Sequence, residues 1–133
     1  MTDLERARAV FSRITYATEV TGCVIEAVGD GRATCSLTLT DAHRIGLGIP
    51  MGGAVFTLAD FAFAVASNFD RDVYLSTGAE IRFLTPAKGR VLTAEAAPVH
   101  LGRRTCLYEV TVRDELGTLV SLVTVSGSLA RKR

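Results

Sequence analysis

A single carboxylate lies in the middle of a long apolar segment of this chain. Asp60 is the one charged residue between Ile49 and Asn68, and its direct neighbours are Ala59 and Phe61. An ionised carboxylate is costly to bury in such surroundings unless it is paired, hydrogen-bonded or reached by water. Apolar surroundings also raise its proton affinity, which brings it closer to a useful general base at neutral pH. The pattern predicts that Asp60 lines a cavity.

The apolar segment itself is typical of a buried helix. Pro50 suits a first helical turn, and we expect the helix to run to about Asn68. A membrane span is disfavoured, because an aspartate at the centre of an inserted helix costs roughly 2.5 to 3.5 kcal/mol. A helix that is apolar on nearly every side needs cover all round, and an antiparallel sheet can curl around it.

The rest of the sequence supplies the strands of that sheet. Alternating apolar and polar residues are separated by turn signals such as Gly29-Asp30-Gly31, and helical spacing over Thr2–Ala17 predicts a short amphipathic helix. The strand candidates begin at Val20 and continue with Arg32–Thr40, Tyr74–Leu84, Arg90–Leu101, Thr105–Arg113 and Leu119–Leu129. We therefore predict an α+β fold, a single domain over residues 1–133 with an antiparallel sheet of five or six strands wrapped around one long central helix. One face of that helix still lacks a partner in so small a chain, so we expect a second subunit to cover it.

Composition narrows the classes of partner. The formal net charge of +1 gives no indication of a nucleic acid or an anionic membrane as partner. Three cysteines that lie far apart in sequence argue against a metal site or a disulfide framework and suit a reducing cytoplasm. The charged N-terminus makes secretion unexpected, and the basic run Arg131–Arg133 has the character of a solvated terminus.

The central segment also resembles a known family. Residues 51–68, MGGAVFTLADFAFAVASN, resemble the H-G-G-x-x-x-x-L-A-D-x-A-x-A-x-A-x-N helix of hotdog-fold thioesterases of the phenylacetate-degradation (PaaI-like) type. The segment Arg82–Ala87 is similar to the F-L-x-P segment that follows the helix in that family, and the order of elements matches from about Val20 to Leu129. Hotdog domains also serve as dehydratases and ligand-sensing modules, so the fold alone does not determine the function.

The resemblance implies roles for particular residues. It makes Asp60 the general base on water or the nucleophile on the acyl carbon, and it makes the Gly52 backbone amide the donor that polarises the thioester carbonyl. Gly53 would keep the approach open because it has no side chain. Ser76 or Thr77 lies near the position of a hydroxyl that holds the attacking water, although a hydroxyl on a strand is commonly structural.

The substrate follows from the same resemblance. Met51, Phe56 and Phe61 are large enough to line an aryl or medium-chain acyl pocket, or else belong to the core. The phosphates of coenzyme A need cations outside that pocket. Two turns carry basic residues that either supply these cations or are only solvated. The basic residues of these turns are Lys88, Arg90, Arg103 and Arg104.

The expected function is therefore that of an acyl-CoA thioesterase, with coenzyme A as part of the substrate and no further cofactor or metal. We expect a homodimer or homotetramer with the site at the subunit interface. The chain departs from the family motif at Met51, which stands where the family has histidine. This departure keeps open the alternative of a non-catalytic hotdog module that binds acyl or aryl thioesters or serves as an assembly scaffold.

Overall fold

The computed structural model describes all residues from Met1 to Arg133. Two α-helices and six strands make up its regular structure, together with a π-helical turn at Tyr16–Thr21 and a short 3-10 turn at Asp41–His43. The helices are α1 (Asp3–Phe11) and α2 (Gly52–Asn68). The strands are β1 (Val24–Gly29), β2 (Arg32–Thr38), β3 (Val73–Phe83), β4 (Val91–Leu101), β5 (Thr105–Asp114) and β6 (Leu119–Arg131).

All six strands join one antiparallel sheet in the order β1-β2-β4-β5-β6-β3. The chain leaves the sheet after β2, forms α2, and returns as β3 at the opposite edge, so β4 can pair with β2 and β6 with β3. Strand β3 pairs with β6 alone, and its other edge is open. Its six successive residues from Leu75 to Glu80 are exposed, because nothing in this chain covers them.

Helix α2 packs against the concave face of the sheet. Its buried positions include Leu58, Ala62 and Phe63, and the Phe63 ring meets the edge of Tyr108 with centroids 5.5 Å apart. The Tyr108 hydroxyl is buried and donates a 2.7 Å hydrogen bond to the carbonyl oxygen of Gly31, so its polar end is satisfied inside the core. Alanines let the helix approach the sheet closely at little entropic cost.

Side-chain hydrogen bonds fix the start of α1 and the end of α2. At α1, the Thr2 hydroxyl accepts from the Glu5 backbone amide, as an N-cap does. At the end of α2, the Asn68 carboxamide accepts from the Tyr74 amide at 2.6 Å and donates to the Tyr74 carbonyl at 3.2 Å. Asn68 therefore sets the angle at which the chain passes from helix α2 into β3.

Asp114 joins the two loops at one end of the sheet. Its carboxylate accepts from the backbone amides of Lys88, Gly89, Leu116 and Thr118 at 2.8 to 3.0 Å. Burial alone would raise the pKa of Asp114, but these amide hydrogen bonds outweigh burial and lower its pKa to about 2. The folded state thus favours the ionised carboxylate.

Replacing Asp114 with alanine should lower stability strongly. Four backbone amides, one buried and three part-buried, would lose their acceptor, which makes a loss of roughly 2 to 4 kcal/mol the expected scale. Since the folded-state pKa is depressed, the contribution of Asp114 is present above the ordinary aspartate pKa and disappears as the pH falls towards about 2. Urea unfolding of wild type and Asp114→Ala at pH 7 and pH 3 measures both effects, and an equal gap between the two proteins at both pH values would contradict this account.

The fold expected from the sequence is confirmed: an antiparallel sheet of six strands, a long central helix and a short N-terminal helix. The expected boundaries differ at three places. The first strand begins at Val24 rather than Val20, because Val20 lies in the π-helical turn. Helix α1 ends at Phe11 rather than Ala17, because a π-helical turn follows and ends at Gly22 with φ of 99°. Helix α2 begins at Gly52, with Met51 rather than Pro50 at its start. No helix is both long and apolar enough to cross a membrane.

Candidate active site

The start of helix α2 presents two backbone amides with no partner in the chain. The side chain of Met51 caps neither of them, whereas most helices begin with a residue that does. The Met51 amide donates to the His43 carbonyl at 2.7 Å and the Ala54 amide to the Met51 carbonyl at 3.0 Å, which leaves the amides of Gly52 and Gly53 without an acceptor. Free amides at a helix start are suited to hold a developing negative charge.

Phe83 at the end of β3 lies directly on Gly52. A Cβ atom at Gly52 would stand 2.8 Å from Cζ of the Phe83 ring, so any side chain there would displace the ring. Next to this contact is a largely apolar cavity of about 370 Å³, which Met51, Val55, Leu84 and Val120 help to line. Met51 is 58% exposed, and the alternative that it fills the core is therefore wrong.

Asp60 lies in a second cavity, of about 330 Å³, on the side of α2 that faces away from the sheet. Its half-buried carboxylate makes no hydrogen bond or ion pair within the chain, and burial raises the pKa of Asp60 above its ordinary value. The side chains around it are mostly apolar, as the sequence predicted. They include Ile14, Tyr16, Ala17, Phe56, Phe61 and Ala64.

The side of α2 that carries Asp60 is incompletely covered. Gly53, Phe56, Thr57, Asp60 and Ala64 lie three or four residues apart and form one partly exposed stripe along the helix, which we call the open stripe. Phe56 is half-buried on this stripe, whereas Phe61 belongs to the core and reaches the Asp60 cavity from there.

Gly52 and Asp60 of one chain are too far apart to contact the same carbonyl group. They lie eight residues apart on one helix, which corresponds to a rise of about 12 Å along the helix axis. A nucleophile and an oxyanion donor must each lie about 3 Å from the atoms of one carbonyl group. The two residues belong to one sequence motif, but the rise of the helix holds them about 12 Å apart.

The structure distinguishes the two hydroxyl candidates on β3. The Thr77 hydroxyl donates to the Ser126 carbonyl at 3.3 Å, at a point where the pairing of β3 with β6 is irregular. Ser76 makes no such bond and pairs with Gly127, which contacts the Phe63 ring of α2. Ser76 therefore lies on the helix side of the sheet with an available hydroxyl, and Thr77 has a bond of its own to the neighbouring strand.

His43 does not take the place of the missing motif histidine. Its Nδ1 accepts from the Thr40 amide at 2.9 Å, so its Nε2 carries the proton and donates to the Thr21 carbonyl at 2.7 Å. Both ring nitrogens are thus used to hold loops together. The three cysteines are buried, and burial raises the pKa of Cys23 and Cys35 to about 12, which leaves them unreactive as thiols. No three metal-ligating side chains come together in this chain.

The four expected phosphate-binding residues do not form one rim within a chain. Lys88 and Arg90 precede β4, whereas Arg103 and Arg104 follow it. An eleven-residue strand is about 36 Å long, so the two pairs lie at opposite ends of the sheet. The expectation of a single rim in one chain is wrong, because an antiparallel strand carries successive turns to opposite ends.

Two features of the site were not found from the sequence. The Phe83 contact depends on tertiary packing, although the F-L-x-P resemblance marked that segment. Lys132 lines a depression together with Arg103, Arg104 and Leu129, although the C-terminal basic run reads as a solvated tail. The signal that sequence reasoning lacked was the pairing of β5 with β6, in which the Leu129 amide donates to the Arg104 carbonyl.

Comparison with known proteins shows the family to which the chain belongs. A family model described as the thioesterase superfamily matches residues 47–121, a range that includes α2 and the Phe83 segment. The acyl-coenzyme A thioesterase PaaI of Escherichia coli K12 is 30% identical over 119 residues, which are 89% of this chain and 84% of PaaI. An Archaeoglobus fulgidus protein named as a proposed esterase is 33% identical over 94 residues, or 70% of this chain. The chain spans 61% of that relative's length.

Solved structures show the same fold. The E. coli PaaI structure superposes with a TM-score of 0.89, covering 98% of this chain and 95% of that one at 24% identity. A hypothetical thioesterase of Streptococcus pneumoniae TIGR4, solved with coenzyme A, superposes with a TM-score of 0.84 at 22% identity and covers 92% and 98% of the two chains. The fold is thus that of the hotdog-fold thioesterases. The chain belongs to the thioesterase superfamily and is PaaI-like.

The unpaired state of Asp60 predicts how stability depends on pH. Because burial raises the folded-state pKa, stability falls as the pH rises through the range between the ordinary and the raised value, and the ionised carboxylate destabilises the fold above it. Asp60→Asn should therefore raise the melting temperature at pH 7.5, and the gain should shrink towards zero near pH 4. Asp30→Asn is the matched control, because Asp30 is an exposed turn residue with φ of 56°, which asparagine also adopts. A lower melting temperature for Asp60→Asn at pH 7.5 would show that Asp60 has a stabilising partner.

Proposed function

We propose that this protein is an acyl-CoA thioesterase that uses Asp60 as general base or nucleophile and the Gly52 amide as the oxyanion donor. The observation that carries the proposal is Asp60 itself, a half-buried carboxylate without any partner in an apolar cavity, with its pKa raised by burial. A structural carboxylate would be expected to have hydrogen bonds, as Asp114 does. Proteins keep an unsatisfied charge of this kind mainly where it acts on a ligand.

The reaction follows from these two groups. Asp60 takes a proton from water as the water oxygen bonds to the thioester carbonyl carbon, and the negative charge that develops on the carbonyl oxygen is held by the Gly52 amide. When the tetrahedral intermediate collapses, the carbon–sulfur bond breaks and the CoA thiolate receives the proton from Asp60. If Asp60 attacks directly instead, the carbon–sulfur bond breaks, CoA leaves as its thiolate, and the acyl group stays on Asp60 as a mixed anhydride. Water then hydrolyses the anhydride and supplies the proton that converts the thiolate to the thiol. Both routes yield a carboxylic acid and CoA.

The separation of Gly52 and Asp60 along α2 requires that the two groups come from different subunits. The Gly52 amide of one subunit and Asp60 of another would then meet at one carbonyl.

Two open surfaces support such an assembly. They are the open stripe of α2 and the open edge of β3, which has eleven residues and contains no proline. In a two-fold symmetric dimer, identical edge strands pair antiparallel and extend the sheet across both subunits. Ser76 lies on β3 beside this junction, where its hydroxyl could hold the attacking water.

The similar proteins support the substrate class. The E. coli relative is named an acyl-coenzyme A thioesterase, and the streptococcal structure contains coenzyme A. The apolar cavity beside Gly52, at about 370 Å³, is compatible with an aryl or medium-chain acyl group or with the pantetheine arm. Met51 lines this cavity and contributes no acid or base, so we assign to it a part in acyl selectivity.

A second candidate function is that of a binder without turnover, and Met51 is the observation that favours it. Where the family motif has an imidazole beside the first glycine, this chain has a thioether, which is at most a weak acceptor. The carbonyl would then be polarised by backbone amides alone.

Substitution of Asp60 separates the two functions. If the protein is a thioesterase, Asp60→Asn should keep its fold and lower kcat for acyl-CoA hydrolysis roughly a hundredfold or more, the scale expected for loss of a positioned base. The wild-type rate should rise with pH through the raised pKa of Asp60 and lack this limb in the variant. Met51→Ala should retain turnover and change the order of preferred acyl groups. Turnover that is unchanged in Asp60→Asn would exclude this mechanism, whereas a wild type that is stabilised by acyl-CoA without hydrolysing it would be a binder.

A change of charge on the open edge of β3 tests the subunit arrangement. Ala79→Lys introduces a charge on the exposed part of β3 and should convert a dimer into an inactive folded monomer. Ala27→Lys, an exposed alanine on the opposite edge strand β1, should leave both assembly and turnover unchanged. Sedimentation velocity and acyl-CoA hydrolysis report the two properties. A wild-type monomer with full activity would rule out the shared site.

A further inference from the structure

The first turn of helix α2 is held from outside the helix. Met51 provides no side-chain cap, so the helix start is not fixed by a cap of its own. The Met51 amide instead donates to the His43 carbonyl at 2.7 Å, and the Phe83 ring packs on Gly52. The position of the Gly52 amide therefore depends on β3 and on the loop that precedes the helix.

The loop before α2 is hydrogen-bonded to itself. We call residues 44–51 the cavity loop, since several of its side chains line the apolar cavity beside Gly52. These side chains are Ile45, Ile49, Pro50 and Met51. The two ends of the loop are joined by an antiparallel bridge between Arg44 and Pro50, and the Arg44 guanidinium donates to the Gly48 carbonyl at 2.8 Å. The Ile45 amide donates to the Ile49 carbonyl at 2.9 Å. These bonds make the cavity loop one unit, and its orientation is set at its base.

His43 forms the base of the cavity loop. Its carbonyl accepts from the Met51 amide, so the end of the loop returns to the residue before its beginning. Its ring is bonded on both sides, because Nδ1 accepts from the Thr40 amide at 2.9 Å and Nε2 donates to the Thr21 carbonyl at 2.7 Å. Thr40 is a close neighbour in sequence, whereas Thr21 belongs to the π-helical turn. The Nε2 bond is therefore the link from the ring to a distant part of the fold.

The carbonyl that accepts from Nε2 is itself well fixed. The π-helical turn ends at Gly22, whose φ is 99°, and the Ala17 carbonyl accepts from the amides of both Gly22 and Cys23 at 2.9 and 2.8 Å. Ala17 and Cys23 are buried in the hydrophobic core. The His43 ring thus connects the cavity loop to a segment that is anchored in the core.

An oxyanion donor must be placed accurately to act on a carbonyl group. A displacement of about 1 Å can lower a rate about a hundredfold, because the donor has to meet the charge where it develops. The Gly52 amide directly follows the Met51 amide, which is bonded to His43. Without the bond from the ring to Thr21, the cavity loop would tilt about its base and the Gly52 amide would move with it.

We propose that His43 is a positioning residue whose ring holds the cavity loop on the π-helical turn and so keeps the Gly52 amide where it acts on the thioester carbonyl. The inference rests on the proposed function for the action of the amide. His43 itself touches neither the substrate nor the reacting atoms, and both of its ring nitrogens stay bonded to the chain throughout the reaction.

Removal of the ring tests this role. In His43→Ala, kcat for acyl-CoA hydrolysis should fall roughly ten- to a hundredfold while KM changes less than about threefold, because the amide acts on charge that develops in the transition state. His100→Ala is the matched control, since His100 is the other histidine and is exposed on β4, and its kcat should stay within about twofold of wild type. A His43→Ala protein that melts at a lower temperature but keeps the wild-type kcat well below that temperature would overturn the proposal. Loss of turnover in Asp60→Asn would then still support the proposed function.

Two conservative variants separate the bonds of the ring. The amide nitrogen of His43→Gln reaches about as far as Nε2 and can donate to the Thr21 carbonyl, whereas the carboxamide oxygen of His43→Asn replaces only the Nδ1 acceptor for Thr40. His43→Gln should therefore recover kcat to within about threefold of wild type, and His43→Asn should stay close to His43→Ala. Equal recovery in both variants would show that the bond to Thr21 is not what positions the donor, which contradicts the proposal.

Hydrogen exchange keeps the test independent of turnover. Exchange of the Met51 amide reports whether the base of the cavity loop is closed, and its protection should fall roughly tenfold or more in His43→Ala and recover in His43→Gln. The Phe69 amide, which donates to the Val65 carbonyl at the other end of α2, should keep its protection. If wild type hydrolyses no thioester but shows this pattern, the proposed function fails while the positioning of the helix start by His43 is upheld. Unchanged protection of the Met51 amide in His43→Ala would overturn the proposal whether or not the protein is an enzyme.

Discussion

The enclosure of α2 is the constraint on which the rest of this structure depends. A helix that is apolar on nearly all sides needs a sheet that curves around it, and here the strands and the N-terminal segment cover α2 but leave the open stripe partly exposed. The same crossing from β2 through α2 to β3 places β3 at a far edge with its outer side unpaired. The incomplete cover of the helix and the open edge of the sheet are thus two consequences of one topology, and both favour association with a second copy.

The chemistry of the site depends on polar groups that the fold leaves without partners. Most buried polar groups in this chain are satisfied, as the hydrogen bonds of Asp114, Tyr108 and Asn68 illustrate. Asp60 and the Gly52 amide are exceptions, and each lies beside a largely apolar cavity. Such groups reduce stability, and they persist where a ligand or a transition state completes their bonding.

Local patterns in the sequence were sufficient to predict the elements, and contacts between distant residues were not. Alternation and turn residues gave all six strands within a few residues, and the motif residue Asn68 correctly marked the end of α2. The Phe83 ring on Gly52 and the hydrogen bond between Leu129 and Arg104 join residues far apart in sequence, and no local period reports them. The sequence was sufficient to predict that Lys88 and Arg90 lie far from Arg103 and Arg104, because two turns that flank one strand must lie at its opposite ends.

The exposed position of Met51 determines how the presence of methionine, where the family motif has histidine, affects the site. A methionine at the start of a helix leaves the first amides uncapped, so the donors of Gly52 and Gly53 remain available to a carbonyl oxygen without competition from a side chain. A polar residue there would add a donor, but it could also hold those amides or the attacking water. Backbone amides fixed by a helix need no reorganisation when charge develops, and this preorganisation is the main source of stabilisation in oxyanion sites. In the proposed mechanism, the backbone geometry at Gly52, against which Phe83 packs, therefore contributes more to turnover than the side chain at position 51.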